Sequence, residues 1–280
     1  MKIYHVINPY SVPEGSEDSL VQSRTIDSIN IARDFAAAVV DVEVVAKLSP
    51  DDMPELQNKL IDEGYTVAEL TTSSADLPQD FKVPRELPVL KDLVDLTGLK
   101  KSEGKKEYVV FTNMDICLKP FFYTEVARLV AQGFETFVIN RRTVDKELLF
   151  AEQSEVMFSD GEKHIGHDCF VLPRENLEKF FLRDHVLGIG FVFRPFLLNC
   201  ILSAKNFHEF DDVYLTYHFG DDMLWKSDKY NDYLEHNKLQ LIEVYEKFLP
   251  EIKGLSPEKR RWLDKFFSFS FLPRLELEDA

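Results

Sequence analysis

Apolar and polar positions alternate along the chain with two periods. "KIYHVIN" is apolar, rich in strand-forming residues, and stops at Asn8-Pro9, which predicts a first strand ending in a polar turn. "SLVQSRTIDSINIARDFAAAV" then places Val21, Thr25, Ile29, Ala32 and Ala36 on one helical face. "VDVEVVAKL" predicts a second strand, and "PELQNKLIDEG" a helix closed by Gly64. The stretch from Thr71 to Pro88, rich in Ser, Asp and Pro, reads as a loop. "LPVLKDLVDLTGL" predicts a short helix and "KKSEGKKE" a charged connector.

The strongest strand signal is "YVVFTNMDICLKPFFY", where the apolar run Tyr108–Phe111 breaks off into Asn113 and Asp115. A helix follows over "PFFYTEVARLVAQG", with Pro120 expected in its first turn and Gly133 at its end, and then the strand "ETFVINRRTV". Strands alternating with helical segments imply α/β architecture: a mostly parallel sheet flanked by helices, with ligands beyond the carboxyl ends of the strands. The polar endings at Asn8, at Asn113 and Asp115, and at Asn140-Arg141-Arg142 would meet in one crevice. Beyond residue 150, "GHDCFVLPRENLEKFF" predicts a short strand leading into a helix, and "VYLTYHFGDDMLW" a strand ending in His218. The last fifty residues or so read as helices with an aromatic tail.

Composition narrows the function classes. The 280 residues are 45% hydrophobic, enough for a substantial core. A net charge of -16 argues against a general nucleic-acid binder, although a few placed donors or a metal ion can still hold a small phosphate ligand. Cys117, Cys169 and Cys200 lie in apolar surroundings without C-x-x-C spacing, which favours reduced thiols and the cytoplasm. No export signal is read in "MKIYHVINPY", and no apolar run is long enough to span a bilayer.

Asn113-x-Asp115 at a strand end suits a hard divalent cation that shares its oxygen ligands with substrate phosphates; the plainer alternative is a pair of residues capping the next helix. His218 is a potential ligand for a Mn²⁺-type ion, or part of a solvated turn before Asp221-Asp222. Arg141 and Arg142 are suited to phosphate, or to surface ion pairs. His167-Asp168 lacks the helical context of the phosphohydrolase metal motif, which sets that reading aside. Gln22 and Arg24, placed in the turn after the first strand, are further donor-nucleotide candidates, with Lys91 and Asp92 behind them.

"FTNMDICLKPFFY", "INRR", "GHDCFVLPRE" and "TYHFGDD-x-x-W", in this order, resemble GT-A-fold glycosyltransferases, and more closely a poorly characterised glycosyltransferase-like group, over roughly Lys2 to Trp225. The resemblance implies a nucleotide-sugar donor, a hydroxyl acceptor (a glycan or small molecule), and Mn²⁺ or Mg²⁺ on the donor diphosphate. It puts Asp115 and His218 at the metal, Asn113 on the donor side, and Asp168 on the acceptor side as the base if configuration inverts; Asn8, Gln22, Arg24, Arg141 and Arg142 join the donor side by their expected places at the crevice. As a turn carboxylate, Asp168 would need no such role. Asn113 departs from the family's D-x-D element, whose first position is Asp. An alternative is therefore a GT-A-like binding or scaffolding module without catalysis. A nucleotidyltransferase would want a Gly-rich or basic loop after the first strand, and "NPYSVPEGSEDS" is acidic.

The expected organisation is a GT-A-like domain over residues 1–228 with a helical extension over 229–280. The tail around Trp262, Phe266, Phe267, Phe269 and Phe271 is expected to pack on the domain or on a second copy of the chain. A membrane-surface helix is disfavoured by the acidic charge.

Overall fold

The structure, a computed structural model, describes residues 1–220 and 228–273. In chain order it runs β1 (Lys2–Ile7), α1 (Glu17–Ala36), β2 (Asp41–Leu48), α2 (Met53–Asp62), β3 (Thr66–Glu69), α3 (Leu90–Leu93), β4 (Glu107–Thr112), β5 (Cys117–Leu118), α4 (Phe122–Ala131), β6 (Thr136–Val144), α5 (Gln153–Phe158), β7 (Glu162–Pro173), α6 (Arg194–Ser203), β8 (Phe207–Phe210), β9 (Thr216–Phe219), α7 (Asn231–Lys247), α8 (Leu249–Lys253) and α9 (Pro257–Phe266). These elements form two compact units. The first comprises residues 1–70, 97–174 and 208–220; the second comprises 71–96, 175–207 and 228–273.

The first unit is built on one mixed sheet of order β3-β2-β1-β4-β7-β6-β9-β5, with β8 also paired to β6. β3, β2, β1 and β4 are mutually parallel. β7 runs antiparallel to both β4 and β6, so β6 points the same way as β4. β9 is parallel to β6, and β5 is antiparallel to β9. The carboxyl ends of β1, β4, β6 and β9 therefore share one side of the sheet with the amino end of β7.

α1 starts where Ser16 accepts a hydrogen bond from the Ser19 amide, with Glu17 and Asp18 in the first turn complementing the helix dipole. Its expected face is the one that packs: Thr25, Ile29, Ala32 and Ala36 are buried. They join Phe122, Tyr123, Val126 and Leu129 of α4 over Ile3, Ile7, Val44, Val110, Phe137 and Ile139 of the sheet. Each large apolar side chain fully buried here contributes about 1.5–3 kcal/mol. α4 begins at Phe122, so Pro120 lies just ahead of the helix rather than inside it.

A half-buried arginine and a buried lysine tie down the segment that follows β6. Arg24 donates to the carbonyls of Leu149 (3.2 Å) and Ala151 (2.6 Å) and to Gln153 Oε1 (3.0 Å). Lys119 donates to the carbonyls of Met157 (2.5 Å) and Ser159 (3.1 Å). Burial lowers the Lys119 pKa to about 8.

Side-chain amides organise the second unit. Asn237 of α7 accepts from the Val186 amide (2.8 Å) and donates to the carbonyls of Val186 (2.9 Å) and Gly190 (3.1 Å). Asn199 of α6 makes the same kind of clasp on Phe181. The aromatic tail packs inside this unit: Phe266 and Phe267 are buried, and Trp262 stacks on Phe266. Phe269 and Phe271 meet the ring of Phe191 edge-on. Phe191 has φ 68°, a left-handed conformation costing roughly 1–2 kcal/mol in a residue with a side chain, which this packing offsets. Among the described residues no helix is long and apolar enough to cross a membrane.

His5 is a buried polar residue of β1, with Nδ1 2.6 Å from Tyr123 Oη and Nε2 2.9 Å from Thr112 Oγ1. Burial lowers its pKa from 6.5 to about 3. His185 of the second unit is lowered to about 3 as well, chiefly by burial. The unfolded chain thus takes up these protons near pH 6.5 and the folded protein only near pH 3. The stability linked to them is fully present above about pH 6.5 and is lost as the pH falls, at about 1.4 kcal/mol per pH unit for each histidine. Urea unfolding between pH 7.5 and 4.5 should show this acid limb, and His5→Gln should make it shallower; an equally steep limb would refute the assignment to His5.

Candidate functional site

The strand directions put the ends of β4, β6 and β9 on one side of the sheet with the start of β7, and the pairing of β7 with β6 shapes what they present. Ile139 faces Cys169, but the next pair is Asn140 with His167, which leaves Asp168 as an extra residue in β7. The following pair is Arg142 with Lys163, so His164, Ile165 and Gly166 stand against Arg141 alone. Such bulges bend a strand and re-aim its side chains. Asp168 is drawn out of the regular ladder here, and its Oδ2 accepts from Arg141 Nη1 at 2.9 Å. Both side chains are nearly enclosed, at 12% and 13% exposure. His164 Nε2 lies 3.5 Å from Arg141 Nη2, and His164 Nδ1 accepts from the Gly166 amide (2.8 Å). A Cβ at Gly166 would stand 2.7 Å from Asp168 Oδ2 and from the His164 ring, so a side chain there would displace one of them.

Asp115 sits in the turn from β4 into β5, where the Ile116 amide donates to the Asn113 carbonyl (3.2 Å). Neither Asn113 nor Asp115 caps α4, whose first turn has no side-chain cap. Asp115 Oδ2 faces His218 Nε2 at 3.2 Å. The Asp115 side chain keeps 44% of its surface exposed, yet Oδ1 is shut off from solvent and has no hydrogen-bond partner. His218 Nδ1 lies 2.7 Å from the Gly220 carbonyl, which can only accept, so Nδ1 carries a proton. Nε2 of neutral His218 then presents its lone pair to the Asp115 carboxylate. Two lone-pair donors facing each other call for a proton or a cation between them.

The electrostatics agree. Burial alone would raise the Asp115 pKa, but the hydrogen bond and charge of His218, with Arg141 adding to them, hold it below the usual carboxylate range. Burial would lower that of His218; the contact with Asp115 outweighs it and raises the imidazole above its ordinary value, against an opposing push from Arg141. Asp115, His218, Arg141 and Asp168 thus form one electrostatic neighbourhood, whose histidine and carboxylates have the donor chemistry for a hard or borderline divalent cation. Among the described residues no group of three or more His, Cys, Asp or Glu side chains converges as a metal site, so a cation here would need substrate or water oxygens as well.

The other candidates lie elsewhere or are engaged differently. The neighbouring arginines part: Arg142 lies over the Tyr214 ring, 4.7 Å from its centroid, rather than at Asp168. Asn8 donates to the Lys47 carbonyl (2.7 Å), bridging the ends of β1 and β2. Gln22 and Arg24 belong to α1, not to the preceding turn. Gln22 bonds both the amide and the carbonyl of Tyr10 and so holds the loop after β1, while Arg24 grips the segment after β6. Lys91 and Asp92 fall in the second unit, where they bond Asp184 and the Thr71–Thr72 amides. Asp221 and Asp222 lie outside the described residues. His164 and Gly166 were missed by sequence reasoning; the glycine-bracketed "HIGHD" was the available signal.

No family model matches the chain, and no curated protein matches its sequence. Solved structures match in fold. A crystal structure of S. aureus TarS 1–349 in complex with UDP-GlcNAc has a TM-score of 0.58 at 15% identity, covering 96% of this chain and 74% of that one. The complex of TarS 1–349 with UDP gives 0.57 at 14% identity, covering 96% and 73%. A further structure of TarS 1–349 gives 0.54 at 16% identity, with the same coverage. At such identity the likeness speaks for the fold: the chain has the α/β, GT-A-like architecture that the order of its motifs implied.

Proposed function

We propose that the protein transfers a sugar from a nucleotide-diphosphate-sugar donor to a hydroxyl acceptor. The observation that carries this reading is the Asp115–His218 pair, 3.2 Å apart beyond the strand ends of a GT-A-like sheet and beside the Arg141–Asp168 pair. Support comes from TarS, which has a similar fold and whose crystal structures contain UDP-GlcNAc and UDP.

In this reading Asp115 and His218 would hold Mg²⁺ or Mn²⁺ together with oxygens from outside the chain. The cation, when bound, offsets the negative charge that grows on the departing diphosphate. Arg141 supplies a fixed guanidinium facing the same charge, preorganised by Asp168. Asp168 has one oxygen committed to Arg141, and its second can take a proton from the attacking hydroxyl. Asn113 offers an amide to the donor without adding charge. Asn8 and Gln22 act one step back, fixing the loop that follows β1.

A second reading, a binding module without catalysis, draws on Asn113 standing where the resembled family has a carboxylate. Metal and nucleotide binding do not separate the two readings; turnover does.

Three measurements test these roles. Thermal-shift titration with UDP, with and without Mn²⁺, should show a metal-dependent stabilisation that Asp115→Asn abolishes while leaving the protein folded. Equal stabilisation of variant and parent would remove Asp115 from the metal. Arg141→Ala should weaken UDP binding by about 1.5–3 kcal/mol, the range for hydrogen bonds to charged groups, whereas Arg142→Ala should change it little, since that side chain packs on Tyr214. Calorimetry on both variants checks this, and the reverse ranking would refute it. Asp168→Asn should spare UDP binding and slow hydrolysis or transfer of the donor sugar by roughly 10²–10⁴-fold. If the parent binds UDP tightly yet turns over no nucleotide sugar from a broad panel, the binding-module reading replaces the enzyme.

A further inference from the structure

The irregular register of β7 against β6 has a polar link of its own. Asn140 of β6 lies between the two neighbouring strands, paired with His167 of β7 and adjoining β8 on its other side. Asn140 Nδ2 donates to Glu209 Oε1 of β8 at 3.0 Å. The same carboxylate oxygen stands 3.4 Å from His167 Nε2, within ion-pair distance although not hydrogen-bonded to it, so one oxygen lies against side chains of three adjacent strands. The link is enclosed: Glu209 is 5% and His167 10% exposed by side chain. Nothing in the proposed reaction uses Glu209.

Burying a carboxylate is unfavourable unless its partners satisfy it, and such groups are often replaceable by apolar ones when stability alone is at stake. Here the partners stand at the critical place. Asn140–His167 is the one pair between the two irregularities, with the extra Asp168 on one side and the looped His164–Gly166 on the other. A shift of a single residue at this pair would return Asp168 to the regular ladder and move it relative to Arg141.

We propose that Glu209 is a positioning residue: by holding Asn140 and His167 together it fixes the β6–β7 register that brings Asp168 to Arg141. The geometric part stands on these contacts alone, and only its consequence for turnover rests on the function proposed above.

The test reads the Arg141–Asp168 pair directly. In the full chain, nitrogen NMR should show Arg141 Nη signals slowed in rotation by the pairing, assigned by Arg141→Lys and lost in Asp168→Asn. Glu209→Ala should lose them too while remaining folded by circular dichroism. Glu209→Gln, which keeps an oxygen for Asn140, should restore them. If Glu209→Ala does not fold, Asn140→Ser, which shortens the same link from its other end, takes its place with the same expected loss. In parallel, hydrolysis or transfer of the donor sugar should slow for Glu209→Ala by up to about 100-fold, the scale for angstrom-level misplacement of a reacting group, with UDP affinity largely spared as for Asp168→Asn. A folded Glu209→Ala that keeps the paired Arg141 signals overturns the proposal, and so does a Gln variant as impaired as Ala. A parent that binds no UDP defeats the functional reading, while the Arg141 signals still decide the role of Glu209.

Discussion

Everything at the site depends on the direction of one strand. β7 lies between β4 and β6 and opposes both, so it enters the sheet at the edge where its neighbours leave it. A strand running with its neighbours would deliver the polar residues at its start to the far end of the sheet. Run in reverse, it sets His164, His167 and Asp168 among the endings of β4, β6 and β9. The two irregularities in its pairing then do what straight pairing cannot, because a regular ladder would hold Asp168 to strict alternation between the faces.

The second organising factor is charge placed against a contrary background. The chain has a net charge of -16, yet several buried or half-buried cations sit where they hold something specific. Arg141 braces Asp168, while Arg24 and Lys119 hold carbonyls of the segment after β6. Away from the site, Arg174 pairs with Glu107 at 3.2 Å, and its guanidinium lies over the Tyr4 ring. In an acidic protein of this kind, affinity for an anionic ligand has to come from local arrangement, because the overall field opposes it.

The long apolar strands were legible. β1, β2, β4 and β6 are buried along most of their length and read as stretches rich in apolar, strand-forming residues. β5, β3 and β8 escaped because two to four residues give no period to detect. The amino half of β7 escaped for another reason: "EKHIGH" is polar and glycine-interrupted, and it is a strand because β6 pairs with it. The second unit is assembled from three separated stretches, and the loop-like composition that begins at Thr71 does not show that residues 71–96 pack with stretches a hundred or more residues later. At the site, Asp115, Arg141 and His218 were legible as candidates because polar residues near the ends of apolar strands are a local signal, while Asp168 was a candidate through the family resemblance. The different placements of Arg141 and Arg142, and the engagement of Gln22 and Arg24 by main-chain groups, depend on three-dimensional packing that adjacency in sequence does not encode.

The segment between β6 and β7 illustrates a different consequence of its anchoring. Four of the five groups that Arg24 and Lys119 hold there are backbone carbonyls, at Leu149, Ala151, Met157 and Ser159. Carbonyls are present whatever side chain the residue bears. Phe150 and Phe158, on the same segment, are 74% and 85% exposed. Their side chains can therefore be exchanged without touching the grip that sets the path of the main chain. This separates shape from surface chemistry: the path is fixed by two residues elsewhere in the chain, and the exposed face is open to variation.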